Sequence, residues 1–289
     1  MDSDPFDFQI DPSTDNYAVM GNPVAHSKSP QIHQYFARQT NQVISYQSIL
    51  VPAGKFTETM LEFGRLGGKG LNITVPFKQD AWNAVSVRTA RAETAGAVNT
   101  ISFKENGDIE GDNTDGTGLL RDLERNNIQV KGARILILGA GGAIRGVLGP
   151  LLEQSPGSVL IANRTPAKAD MLVSSHAYFL HLKACRMSDL PDAGSFDLII
   201  NGTSAGLQGE LPPVPVSLIT RQSCCYDMVY GDREPVFVEW AKTQGARIAI
   251  DGLGMLVEQA AESFSIWRGV RPDVVPVIKM LRNEVRRGK

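Results

Sequence analysis

Cysteine is scarce in this chain of 289 residues: Cys185, Cys224 and Cys225 are the three present. None stands at metal-ligand spacing, and the neighbours Cys224 and Cys225 fall in an apparent strand, facing opposite ways. All three are expected as small core residues in a reducing compartment, which places the protein in the cytoplasm and excludes a disulfide scaffold. No apolar run reaches the length of a membrane span, and the N-terminus lacks the basic and apolar regions of a secretory signal. Residues 1–15, with several acids and prolines, read as a frayed extension. An excess of either charge is missing too. The net charge is −2 with the signs interspersed, so no basic stripe argues for nucleic acid. The basic tail over 282–289 is short and reads as a solvated helix end. No cluster of His, Cys and acids suits a metal. No internal repeat appears beyond an alternation of strands and helices. What remains is an ordinary globular composition, long enough for two domains and two cores.

One absence carries information about a ligand. Residues 134–146, RILILGAGGAIRG, read as strand, glycine turn and helix, the pattern that brings backbone and unpaired helix N–H groups close to a pyrophosphate. A second aliphatic run, 159–162, follows at βαβ spacing. An NAD site places an acid just after it, to bind the ribose 2′-OH. Here the sequence continues Asn163-Arg164-Thr165, with Lys168 one turn on. Cations at that place suit a 2′-phosphate, so the pattern favours NADP over NAD. The fingerprint is imperfect, because Ile144 stands where a third Gly or Ala is usual and Gly146 follows two residues later.

Upstream, a strand over 17–20 leads to Gly21-Asn22-Pro23, then to His26-Ser-Lys-Ser-Pro30 and a helix over 31–39. Ser29 before Pro30 is a good N-cap, and the same helix start, with the hydroxyls of Ser27 and Ser29, suits a small carboxylate or polyol. His33 falls inside that helix and reads as packed. A strand is expected over 44–51, a helix over 55–65, a strand over 70–75 and a helix over 77–87 opened by Pro76. Lys78 then lies in a first turn, where the dipole repels a cation. A local rule broken without local gain points to function, though a lysine turned to water fits the pattern equally. A strand over 96–101, containing Asn99, and a hairpin partner precede the turn 111–116 and a helix over 117–125. Asp115 suits the dipole at that helix start.

Further strands are expected over 178–182, 197–201, 223–228 and 247–250, and helices over 142–153, 166–174 and 235–244. Strands alternating with helices predict a mostly parallel sheet. The loop 201–206 falls at one strand's carboxyl end, where ligands of such sheets bind. Helices over 255–267 and 272–286 close the chain.

Nine segments, in order, resemble the shikimate dehydrogenase family: YAVMGNPVAHSKSPQIH (17–33), NITVPFK (72–78), GAVNT (96–100), GDNTDG (111–116), GAGGA (139–143), NRT (163–165), NGTSAG (201–206), YDMVY (226–230) and GLGMLVEQAAESF (252–264). The resemblance implies two α/β domains: a discontinuous substrate domain over 1–114 and 252–289, completed by the C-terminal helices, and a Rossmann-like NADP domain over 115–251. It implies reversible reduction of 3-dehydroshikimate to shikimate in aromatic amino acid biosynthesis, by a monomer or homodimer. Lys78 and Asp115 are implied as the catalytic pair. Ser27 and Ser29 would bind the carboxylate, and Thr74, Asn99, Tyr230 and Gln259 would line the substrate pocket. Gly139, Ala140, Gly141, Gly142 and Ala143 would cradle the pyrophosphate. Asn163, Arg164, Thr165 and Lys168 would hold the adenosine ribose and its 2′-phosphate, and Met228 and Gly252 would lie against the nicotinamide. Neither metal, membrane nor nucleic acid is implied.

Three departures from the family stand out. Ile144 is bulky and is expected to hold its helix slightly away from the glycine turn, Gly202 replaces an Ala or Thr, and an acid usual near Thr89-Ala90 is missing. A quinate/shikimate dehydrogenase of broader range, and a non-catalytic nucleotide sensor on the same scaffold, are the alternatives.

Overall fold

The computed structural model describes residues 8–231 and 233–287. The acidic stretch 1–7 and the end of the basic tail, 288–289, lie outside the described residues. The chain forms two compact units, Met1–Asp115 with Val257–Val277, and Gly116–Leu256 with Ile278–Lys289.

The first unit carries a six-stranded sheet ordered β2-β1-β3-β5-β6-β4. Its strands are β1 (Asp15–Gly21), β2 (Ile44–Leu50), β3 (Gly68–Ile73), β4 (Val87–Arg88), β5 (Thr100–Phe103) and β6 (Ile109–Asp112). β1 is parallel to both β2 and β3, and β5 runs antiparallel to β3 and β6. Successive side chains of β1 go to opposite faces, as the period of two requires. Ala18 and Met20 join a core with Phe56, Met60, Phe63 and Leu71, and Tyr17 and Val19 pack on the other face with Val24 and Tyr46. Helices α1 (Ser29–Gln39), α2 (Phe56–Arg65), α3 (Lys78–Ala84) and α4 (Ala90–Ala95) accompany the sheet. α2 buries Phe56, Thr59, Met60 and Phe63, the one-face spacing of an amphipathic helix.

Three local expectations change here. Ser29 is the first residue of α1 rather than its cap: Lys28 occupies the cap position and no side chain caps the helix. Pro76 lies in the preceding turn, and α3 begins at Lys78 and ends at Ala84, because Val85 turns extended and Val87 pairs with β6. β-branched valines fit that pleated edge better than a helix. α4 was not expected. It is capped by Thr89, whose hydroxyl accepts from Ala92 N at 3.3 Å.

The second unit is an all-parallel sheet ordered β12-β11-β10-β7-β8-β9. Its strands are β7 (Arg134–Leu138), β8 (Ser158–Asn163), β9 (Leu182–Arg186), β10 (Leu198–Asn201), β11 (Cys224–Asp227) and β12 (Ile248–Asp251). Read from the edge, this is the doubly wound order 3-2-1-4-5-6, which reverses between β7 and β10. Both faces of β7 are covered: Ile135 and Ile137 enter one core, Leu136 and Leu138 the other. The helices are α5 (Asp115–Arg125), α6 (Gly142–Glu153), α7 (Pro166–Ser175) and α8 (Val236–Thr243), followed by α9 (Leu253–Arg268) and α10 (Val275–Arg287). α6 buries Ile144, Val147, Leu148, Leu151 and Leu152, each worth roughly 2 kcal/mol of apolar burial.

The third strand of this sheet is β9, not 178–182. Tyr178 and Leu180 are 65% and 85% exposed, so the apolar alternation that predicts a strand there lies outside the core. The first turn of α9 packs in the second unit, where Met255 joins the core, and residues 278 onward group with it too. Arg282 of α10 holds Asp251, at the end of β12, through two bonds of 2.6 Å. Among the described residues no helix is long and apolar enough to cross a membrane.

Candidate active site

Two helix starts in the first unit bring a cation and an anion together. Lys78 opens α3 and Asp115 opens α5, and Lys78 Nζ donates to Asp115 Oδ2 at 2.5 Å. Their side chains are 27% and 9% exposed, so the carboxylate is enclosed while the amine keeps a path to water. The cation that violates the dipole rule at α3 is thus answered by a carboxylate 37 residues away in sequence.

Asn99 organises the surroundings. It stands just before β5 rather than inside a strand. Its Nδ2 donates to Asp115 Oδ1 at 2.8 Å and reaches Thr114 Oγ1 at 3.0 Å and Gln259 Oε1 at 3.4 Å. Its Oδ1 accepts from Thr114 N at 2.9 Å and Thr100 Oγ1 at 2.9 Å. Asp115 N donates to Asn113 Oδ1 at 3.1 Å, while Asn113 Nδ2 is tied to Ala97 O at 3.0 Å. Val98 N donates to Lys78 O at 2.9 Å, fixing the start of α3 against the same segment. Buried polar groups are costly unless paired, and a fully paired network is rigid.

A second polar line runs from Asn99 toward α1. Thr100 Oγ1 and Ser263 Oγ lie 2.7 Å apart, Ser263 Oγ accepts from Asn72 Nδ2 at 3.0 Å, and Tyr46 OH donates to Asn72 Oδ1 at 2.7 Å. Burial pushes the Tyr46 hydroxyl well above its ordinary value, offset by a hydrogen bond with Ser29. Ser29 N also donates to Ser27 Oγ at 3.3 Å. His33 is fully buried, stacked on Tyr46 with ring centroids 4.3 Å apart, and so is packed as expected. The first unit therefore joins Lys78, Asp115, Asn99 and Gln259 in one network, with Ser29 reached through Tyr46. Thr74, half-buried, follows β3, where its N donates to Met20 O at 2.9 Å.

Asn72, Thr100, Asn113, Thr114 and Ser263 were not singled out by sequence. All lie inside or beside the family-like segments, but a polar residue on a strand or helix does not disclose its partner. Arg91 was missed as well. It donates to Asp112 Oδ2 at 2.5 Å and to Glu262 Oε1 at 3.0 Å. Burial pushes the Asp112 carboxyl up, but the hydrogen bonds from Arg91 and Thr89 outweigh it and hold the group below its usual range.

In the second unit, the carboxyl ends of β7, β8, β10, β11 and β12 carry the other expected residues. Gly139 has φ +100°, a conformation that favours glycine, and its N–H donates to Ala162 O at 2.8 Å. Gly141 caps α6 in extended conformation. Gly141, Gly142 and Ala143 are exposed, and a Cβ on either glycine would meet nothing within 4 Å. Ala140, by contrast, is buried. This open, side-chain-free helix start fits an anion that approaches the backbone closely. At the end of β8, Asn163 Nδ2 donates to Thr165 O at 2.8 Å, which shapes the turn. Arg164 and Lys168 are exposed, and neither is engaged by a carboxylate among the described residues. Two free cations beside that turn fit a phosphate monoester.

Met228 and Gly252 stand side by side. A Cβ on Gly252 would lie 2.4 Å from Met228 O, so that position admits only glycine without backbone movement. Tyr230 follows in the same loop, half-buried, its hydroxyl pushed up by burial. Asp227 ends β11, fully buried. Burial raises its carboxyl to about 6, against hydrogen bonds from Val229 N and Asn201. No group of three potential metal ligands occurs among the described residues.

Comparison with known proteins gives the following. The model of the shikimate dehydrogenase substrate binding domain matches residues 19–101, that of shikimate / quinate 5-dehydrogenase matches 122–208, and that of the shikimate 5'-dehydrogenase C-terminal domain matches 252–282. The shikimate dehydrogenase (NADP(+)) of Alkalilimnicola ehrlichii is 58% identical over 272 residues, covering 94% of this chain and 100% of that protein. The protein of the same name from Cellvibrio japonicus is 51% identical, covering 96% and 100%. Among solved structures, the shikimate 5-dehydrogenase of Thermus thermophilus in complex with NADP(H) and shikimate matches with TM-score 0.84 and 31% identity, covering 93% of this chain and 99% of that one.

Proposed function

The chain belongs to the shikimate dehydrogenase family, and from that premise we propose that it is an NADP-dependent oxidoreductase that reversibly reduces 3-dehydroshikimate to shikimate. The observation that carries the reading is the Lys78–Asp115 pair, with Asn99 holding the second carboxylate oxygen. NADPH, when bound, supplies the hydride to the ring ketone. The ketone oxygen must gain a proton as it becomes a hydroxyl, and must lose it in reverse. Lys78 gives and takes that proton, and its partial exposure lets water restore it. Asp115 orients the ammonium and accepts the substrate hydroxyl. Ser27 and Ser29 bind the carboxylate at the start of α1, and Thr74, Asn99 and Gln259 line the pocket of the first unit; Tyr230, in the second unit, is assigned to the substrate by the family resemblance. The first unit takes the substrate role and the second the nucleotide role.

For the cofactor, Gly139 to Ala143 receive the pyrophosphate on backbone N–H groups, Asn163 to Lys168 hold the 2′-phosphate ribose, and Met228 and Gly252 flank the nicotinamide. The three free thiols, of which burial pushes Cys225 up to about 12, support a reducing compartment, the cytoplasm.

The test follows NADPH formation by absorbance with shikimate and NADP(+). Lys78→Ala is expected to lower turnover by about 10² or more with KM little changed. A large rise in KM at normal turnover would reduce Lys78 to a binding group. Absence of turnover in the wild type, with nucleotide still bound, would favour a nucleotide sensor.

A further inference from the structure

Two residues that sequence singles out separately, Ile144 and Gly202, occupy one space. Gly202 begins the loop after β10, and Ile144 lies in the first turn of α6. A Cβ built on Gly202 meets Ile144 Cδ1 at 2.4 Å and Cγ1 at 2.7 Å, with Met228 Sδ at 3.3 Å. Ile144 is fully buried, so it has no solvent to swing into. On the other side, the Cβ position of Gly139 lies 3.0 Å from Gly202 O. The backbone at Gly202 is thus held between the turn after β7 and the first turn of α6, with Met228 alongside. It is anchored from below by Gly202 N donating to Leu138 O at 2.9 Å, and Met228 N donates to Asn201 O at 2.9 Å.

We propose that Ile144 and Gly202 form one interlocked positioning element for the cofactor site. The end of Ile144 takes the place of a side chain at position 202. It thereby sets the spacing between the start of α6 and the loop 202–206, and the seat of Met228. This rests on the reading that the glycine turn receives NADP(H). The helix start is therefore not held away by a bulky Ile144; the missing side chain at Gly202 makes room for it. Close packing makes such a site sensitive, because a neighbour that cannot move passes the strain to backbone. Here the backbone in line is the helix start that receives the phosphates.

The experiment is a double-mutant cycle on the full chain with Gly202→Ala, Ile144→Ala and both together, plus Ile144→Val as a milder partner. The readouts are the Kd for NADPH from fluorescence, the separate KM values for NADPH and for shikimate with NADP(+), and thermal unfolding of the ligand-free protein. Gly202→Ala is expected to weaken NADPH binding about tenfold while leaving the KM for shikimate in place. Adding Ile144→Ala is expected to bring the Kd back to within about threefold of the wild type, and Ile144→Val to restore it in part. The proposal is overturned if Gly202→Ala is silent, if the effects of the two substitutions simply multiply, or if both KM values move together. Should Gly202→Ala alone fail to fold, recovery of fold and NADPH binding in the double variant supports the interlock, and failure of both variants overturns it. Should the wild type not bind NADPH, the nucleotide reading falls by itself, while the packing pair is still judged by whether Ile144→Ala rescues the unfolding temperature of Gly202→Ala.

Discussion

Asn99 Nδ2 donates to Asp115 Oδ1 at 2.8 Å while Lys78 Nζ holds the other oxygen of the same carboxylate at 2.5 Å. Asp115 is thereby fixed by a neutral donor on one side and a charged donor on the other. Removing the neutral donor leaves an enclosed oxygen short of a partner and frees Thr114 N as well. Asn99→Ala is expected to lower kcat/KM about 10- to 100-fold, the range for an unsatisfied buried group. Asn99→Asp, nearly the same in shape, is expected to be worse at neutral pH, because it sets a second carboxylate against Asp115. Steady-state rates of the two variants side by side check this; equal rates for Asn99→Ala and wild type would remove Asn99 from the site.

On the proposed reading, Arg164 and Lys168 hold the 2′-phosphate and so carry the preference for the phosphorylated nucleotide. Both are exposed beside the turn at the end of β8. A charge-assisted hydrogen bond contributes about 1.5–3 kcal/mol, so Arg164→Ala is expected to raise the KM for NADPH about 10- to 100-fold. The KM for NADH, which has no 2′-phosphate, should stay within about threefold of its wild-type value. Equal use of NADPH and NADH by the wild type would refute the assignment outright.

Much of this arrangement was legible in the sequence because its physics is local. Residues 134–138 and 142–153 were expected as strand and helix and are β7 and α6 with the same bounds, since aliphatics, a glycine turn and a helix signal follow one another without conflict. The shift from 178–182 to β9 has a different cause: an exposed Tyr178 and Leu180 mimic the period of a buried strand. Lys78 and Asp115 could be singled out by dipole and motif, but their contact depends on strand order, and no spacing along the chain discloses it. The same holds for Arg91, whose partners Asp112 and Glu262 are 21 and 171 residues away. Ile144 and Gly202 are the clearest case: each is a departure from pattern alone, and only the sheet order makes them complementary.

His33 predicts how stability depends on pH. Burial lowers its imidazole from 6.5 to about 3, partly offset by the nearby Asn72 side chain. At this residue the folded protein therefore binds one proton fewer than the unfolded chain between about pH 3 and 6.5, so the His33 contribution to stability rises with pH across that window and is level above it. The slope from this residue is about 1.4 kcal/mol per pH unit. His33→Phe, which keeps a ring against Tyr46, is expected to flatten the acid side by that slope. Urea unfolding at pH 4, 5, 6 and 7 measures it, and an unchanged pH profile would contradict a neutral, buried His33.

Arg91 is expected to act on the site from a distance. Its guanidinium bridges Asp112, three residues before Asp115, and Glu262, three residues after Gln259. Glu262 in turn accepts from Arg271 Nη1 at 3.2 Å, and Arg271 Nη2 donates to Glu258 at 2.7 Å, so the clamp continues along α9. Asp112 Oδ1 also accepts from Asn113 N at 2.7 Å, and Asn113 orients Asp115 N. Removing Arg91 leaves two carboxylates of the clamp without their shared cation. A broken buried pair costs about 3–5 kcal/mol and an exposed one about 1 or less, and Arg91, 34% exposed, lies between, at roughly 2 kcal/mol. The unfolding free energy of Arg91→Ala should fall by that amount. A purely structural loss would stop there. If the clamp positions Asp115 and Gln259, the KM for shikimate should also rise several-fold, on the order of 3- to 10-fold, while the KM for NADPH holds. Arg91→Lys keeps the charge but cannot fork between Asp112 and Glu262, so it should recover most of the stability and little of the KM.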